Sequence, residues 1–218
     1  MGSTMTRMRI ITRILTAAAL LAATSCSSTV RTGDSPVFLV IATITGSRGA
    51  ATPGAPSSFL ISDVLTFVTT GAGCTPQTPC PTVFGDSGQA TLQLAAKNVT
   101  STAPTTNNQV TITRIHVHYR LADTTIAPVQ GVNVPNDFDT FATGTVPATG
   151  TLTLGFELVR VQAKESTPLV QLNKPPVGNG GQINAVADVT FFGTDQVGNA
   201  ISVTGSIAIQ FGDWADPT

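Results

Sequence analysis

Two histidines, His116 and His118, stand two residues apart, with Arg114 and Arg120 flanking them at the same spacing. In an extended chain successive side chains point to opposite faces, so all four project from one face of a strand. Imidazoles at this spacing could supply two metal ligands, but a zinc site needs a third or fourth donor, and two arginines beside it repel a cation. No metal is expected. The stripe has two readings: a solvated polar face, or a surface through which Arg114, His116, His118 and Arg120 contact an anion or a partner. Asn136, Asp137, Asp139 and Asp195 offer further oxygen donors, yet calcium takes six to eight oxygens and no EF-hand spacing is present. Turn formation is the expected role of these residues. Glu157 and Glu165 are the only glutamates, and no second acid is matched to Glu157 as glycoside hydrolysis requires.

Gly85-Asp86-Ser87-Gly88 resembles the nucleophile segment of chymotrypsin-like proteases, which would imply an acylating hydroxyl at Ser87. The resemblance ends there. Gln89 stands where that pattern continues with glycine, and both histidines follow the serine instead of preceding it. Geometry and not chain order defines a triad, but the four residues stand directly before a strand predicted from Gln89 to Ala96, where Gly, Asp and Ser form turns. The segment is therefore read as a turn, and neither a catalytic residue nor a cofactor is expected.

The three cysteines divide into one and a pair. Arg7, Arg9 and Arg13 precede an apolar run from Ile14 to Ala23, the layout of a secretory signal. The run is about ten residues long, and a spanning helix needs about twenty, so residues 1–25 are read as a cleaved export signal. Its end, Ala23-Thr24-Ser25-Cys26, resembles a bacterial lipobox, which implies that Cys26 is lipidated and becomes the first mature residue. Ser27 follows it, and because an Asp there commonly holds Gram-negative lipoproteins at the inner membrane, the resemblance implies the outer membrane. Residues 26–35 then form a short polar tether. Cys74 and Cys80 remain as an even pair in an oxidising compartment, which predicts a small disulfide loop.

Removing residues 1–25 takes away three arginines and no acid, leaving eight basic and twelve acidic residues and a formal charge of −4. No basic footprint for nucleic acid remains. Charged residues make up only 11% of the chain, which argues against a disordered or coiled-coil protein.

What positions these residues is a succession of strands. From Asn199 to Phe211, Ile201, Val203, Ile207, Ile209 and Phe211 share one face while polar residues take the other. Leu152, Leu154, Phe156 and Leu158 repeat the period, as do Ala90, Leu92 and Leu94. Further strands are predicted at 37–45, 58–69, 110–121 and 183–192, with Ile115, Val117, Tyr119 and Leu121 on the core side of the histidine strand. No helical period is evident. Seven or more strands with turn-rich connections predict an all-β, antiparallel two-sheet sandwich spanning 36–218. The segment Thr194-Asp195-Gln196-Val197-Gly198-Asn199 would turn the chain tightly, since Gly198 and Asn199 both tolerate positive φ. With its flanking strands it resembles the final hairpin of bacterial immunoglobulin-like domains, which implies that fold over about thirty residues and says little about function. Two long irregular stretches, 122–150 and 168–181, are where a binding face is expected.

The sequence thus predicts a non-catalytic cell-envelope lipoprotein that serves as a binding, adhesion or scaffold module, with a membrane contact through its lipid and an unidentified protein or glycan partner. A structural subunit that oligomerises through strand edges is the alternative, and a secreted hydrolase the third reading.

Overall fold

The computed structural model describes residues 34–97, 104, 106–175 and 178–214. The predicted export signal (1–25), Cys26 and most of the predicted tether lie outside the described residues.

Among the described residues there are eleven strands: β1 (Val37–Ser47), β2 (Phe59–Asp63), β3 (Thr66–Val68), β4 (Cys80–Thr82), β5 (Asp86–Ala96), β6 (Val110–Leu121), β7 (Phe138–Thr140), β8 (Gly144–Val146), β9 (Thr151–Val159), β10 (Gln182–Asp195) and β11 (Ala200–Gly212). One sheet has the order β1-β5-β9, a second has β2-β11-β10-β6-β7 with β8 also on β6, and β3 and β4 form a small separate pair. The pairs are antiparallel except β2 with β11. Both sheets contribute to one core. Phe156 of β9 meets Phe191 of β10 edge to face at 5.7 Å between ring centres, and Leu92, Leu158, Ile115, Val117, Ile207 and Phe211 are buried around them. The two apolar faces are thus removed from water against each other, which is the physical reason for two layers.

The strand carrying the histidines contains a feature that alternation alone conceals. Gly193 pairs with Ile112 and Phe192 with Arg114, so Thr113 is an extra residue in β6. This bulge shifts the parity, and Val110 and Ile112 are buried on one side of it while Ile115, Val117 and Tyr119 are buried on the other.

Several boundaries differ from the sequence reading. The stretch 58–69 splits into β2 and β3 around the buried Val64, whose N–H bonds the Gly212 carbonyl. The stretch 122–150, read as irregular, contains β7 and β8, each too short to display a period of two. A one-turn helix α1 (Val161–Lys164) and a 3-10 turn (Leu169–Leu172) lie where no helical period was evident. In the final hairpin only Gly198 has positive φ, at +92°. Asn199 serves differently, since its backbone N–H and side-chain amide both donate to the Asp195 carboxylate.

The direction of β1 sets the ends of the molecule. Ile41 lies against Gly205, and Gly46 against Leu60, Leu158 and Ile207. The chain therefore enters at the end of the β10–β11 turn, where Ser35 stands beside Asp195, and runs toward the end where β11 finishes at Gly212. The connections 48–58, 64–85, 122–137 and 160–181 all lie at that second end, because they leave from or return to strand termini registered there.

Candidate functional site

The stripe predicted on β6 exists, and acids from two other strands meet it. Arg114 donates to Asp139 of β7 at 2.9 Å, and the His116 Nδ1 lies 3.0 Å from the same oxygen. His118 Nδ1 lies 2.6 Å from Asp137, and Arg120 Nε donates to Asp188 of β10 at 2.9 Å. A carboxylate only accepts hydrogen bonds, so Nδ1 carries the proton in both rings and Nε2 is the acceptor nitrogen of the neutral form. All four predicted residues are thus matched by three aspartates on a part-exposed sheet face. Loss of water around Asp139 pushes its carboxyl up, but hydrogen bonds from His116 and Arg114, with their charges, outweigh this and hold it below the usual carboxylate range. Asp137 also accepts the Tyr119 backbone N–H and the Gln130 amide. The expected role of Asp137 and Asp139 as turn formers gives way to cross-strand pairing, with Asp139 itself in β7.

An Asp–His pair supplies two of the three members of a hydrolytic triad, and the serine singled out from the sequence does not complete it. Ser87 sits in the other sheet, in register with Ser47 and Glu157, while the histidines sit on the outer face of the sheet containing β6. The turn reading of Gly85–Gly88 is also corrected, because β5 already begins at Asp86. Glu157 pairs with Arg160 at 3.2 Å. Among the described residues no group of three His, Cys, Asp or Glu side chains is placed to hold a metal ion. Cys74 and Cys80 are joined in a disulfide that closes the loop between β3 and β4.

Asp86 has a different role, which sequence reasoning missed. It is buried and accepts from Gly49 N–H at 2.8 Å and Ser62 Oγ at 2.5 Å. Lys164 Nζ lies 2.9 Å from its Oδ1 and 2.7 Å from the Asp63 carbonyl oxygen. Burial pushes the lysine pKa down, and the Asp86 charge and hydrogen bond oppose it. Beside this pair, Asp63 accepts from Trp214 N–H, and the indole N–H donates to the Ser62 carbonyl, which ties the only tryptophan to β2.

The two long connections named from the sequence meet at the same end of the sandwich. Between them runs a groove of about 570 Å³, walled by Ile126 and Val132 on one side, Pro168 and Leu172 on the other, and floored by Gln182–Asn184. Its walls are held in place by local bonds. Asn133 receives the Val129 N–H and donates to the Ala127 carbonyl, Gln130 and Asp137 bond reciprocally, and Thr167 Oγ1 donates to Gly131 across the two connections. Carboxamides of Asn133, Gln171, Asn179, Gln182 and Asn184 and the Asp123 carboxylate share the lining with these aliphatic walls. A preformed cleft of mixed apolar wall and a few polar groups is the common form of a binding site. Ile126, Val129 and Val132 are exposed on the 122–137 connection.

No family model, no curated protein and no solved structure matches this chain. Among the described residues no helix is long and apolar enough to cross a membrane.

Proposed function

We propose that the protein is an outer-membrane lipoprotein, anchored through Cys26, whose immunoglobulin-like β-sandwich is a non-catalytic binding module. The observation that carries this reading is the opposition of the two ends. The chain enters beside the β10–β11 turn, and the groove opens at the far end of β10, whose fourteen residues span about 43 Å at the usual strand rise. Eight residue steps from Cys26 to Asp34 reach at most about 28 Å. A lipid at Cys26 therefore keeps the turn end near the bilayer and presents the groove away from it. Long connections on a rigid sandwich are the usual carriers of recognition. The immunoglobulin-like assignment draws on the two antiparallel layers and the closing hairpin; the parallel β2–β11 pair is a departure from a purely antiparallel sandwich.

The test places a photo-crosslinking residue at Val132 and, as a control at the opposite end, at exposed Val197 in the intact cell envelope. Adducts with a partner at position 132 and none at 197 are expected. Equal labelling at both positions, or labelling at neither, removes the groove as the binding face. Fatty-acid labelling that persists in Cys26→Ser would remove the anchor.

Self-assembly is the second reading, favoured by Phe59 and Ile61, both exposed on the edge strand β2. Concentration-dependent oligomers that dissolve in Phe59→Lys would support it over the groove.

A further inference from the structure

Lys164 and Asp86 bring an amine and a carboxyl into contact with no access to solvent: the side chains are 0% and 0% exposed, and Nζ lies 2.9 Å from Oδ1. The two residues are 78 positions apart, one on α1 and the other at the first position of β5. We propose that this is a self-modification site, at which Lys164 Nζ and the Asp86 carboxyl condense to an amide and cross-link the folded chain.

The atoms balance without a co-reactant. Nζ attacks Cγ, a carbon–nitrogen bond forms, and the Cγ–Oδ1 bond breaks. Two of the three ammonium protons leave on Oδ1 as one water, and the third stays on the amide nitrogen. Nothing is oxidised or reduced.

Four features of the site favour the step. The fold holds the partners in contact, and positioning of this kind is equivalent to effective concentrations of about 10⁵–10⁸ M. The Gly49 N–H and the Ser62 hydroxyl donate to the two carboxyl oxygens and so stabilise the charge that grows there as Nζ attacks. Burial lowers the lysine pKa and so favours the free amine, the nucleophilic form. The Asp63 carbonyl holds Nζ against the carboxyl. The buried ion pair also keeps two charges out of water, a desolvation cost that the neutral amide removes. The same exclusion of water protects the product from hydrolysis.

The test is a peptide map of the full exported chain, reduced and denatured before digestion with trypsin. The expected product joins the Asp86 peptide to the Lys164 peptide at their summed mass less one water, with the bond after Lys164 uncut. Asp86→Asn offers a carboxamide that loses ammonia instead, so its joined peptide has the same mass as the wild-type one. Lys164→Arg abolishes the joined peptide. Separate peptides from the wild-type chain, with cleavage after Lys164 and the Asp86 peptide at full mass, overturn the proposal and leave an ion pair only. The wild-type map decides the matter whether or not the variants fold, and its outcome is independent of whether the groove binds a partner.

Discussion

Tyr119 of β6 donates its buried hydroxyl to the backbone carbonyl of Leu158 on β9, at 2.5 Å, and so makes a hydrogen bond between the two sheets through their shared core. Burial pushes the phenol far above its ordinary pKa, and the charges of Asp86, Glu157 and Asp137 add to this, so it stays a donor throughout the accessible pH range. Tyr119→Phe keeps the ring contacts with Phe138 and Phe211 but orphans the Leu158 acceptor. We expect a loss of about 1–3 kcal/mol, the cost of an unsatisfied buried polar group. Urea unfolding checks it: the midpoint falls and the slope stays the same. An unmoved midpoint would mean that the hydroxyl contributes nothing.

Two aspartates give stability opposite dependences on pH. For Asp195, burial raises the carboxyl pKa, but hydrogen bonds from Asn199 and Val197 outweigh this and hold it below 3.8. Its contribution is therefore complete above about pH 3.8 and is lost as pH falls through the lower folded value. For Asp63, burial is the leading cause and raises the pKa above 3.8, against the bond from Trp214 and the charge of Arg48. That contribution is present at low pH and is lost as pH rises through the raised value. Asp195→Asn should flatten the acid limb of the stability curve, and Asp63→Asn should flatten the decline on its alkaline side. Melting temperatures of both variants across the acid range test this, and difference curves of the same sign would refute the assignment.

At the β6 bulge, a Cβ on Gly193 would stand 2.5 Å from the Thr111 carbonyl oxygen, whereas a Cβ on Gly155 would meet nothing within 4 Å. Gly193→Ala should cost about 1–3 kcal/mol through forced backbone movement. Gly155→Ala, on the exposed face of β9, should change stability by no more than about 0.5 kcal/mol. Equal effects of the two substitutions in thermal melts would show that the close approach at the bulge is not maintained in solution.

The disulfide closes a loop with a sequence separation of 6. Chain entropy for so short a loop gives about 2 kcal/mol. Because β3 and β4 pair only with each other, reduction should raise amide exchange in residues 66–82 and leave β10 and β11 protected. Exchange that rises in all strands together would contradict this local coupling.

Strand positions were legible because an apolar residue at every second place survives in β5, β9, β10 and β11 whatever surrounds them. The arginine–histidine face of β6 was legible for the same reason. Its acids were not, since Asp137 and Asp139 reach His118 and His116 across 19 and 23 positions of irregular chain. β7 has only three residues, too few to show a period. Lys164 was invisible for another reason. A single lysine in a polar segment reads as solvated, and only the fold reveals that α1 turns it inward onto Asp86. Val161 and Ala163 beside it are partly buried too, but on a turn too short to show a helical period. The groove was legible as two long connections, but their meeting at one end depends on strand register.

Because β1 enters at one end and pairs along β5 from Val37 to Ser47, with one irregularity between Ile41 and Thr43, a pull on the N-terminus resisted at the groove acts lengthwise on that ladder. Its hydrogen bonds are then stressed in parallel instead of parting one after another from a peeled edge. Rupture under such a load requires β1 to slide along β5 as a unit.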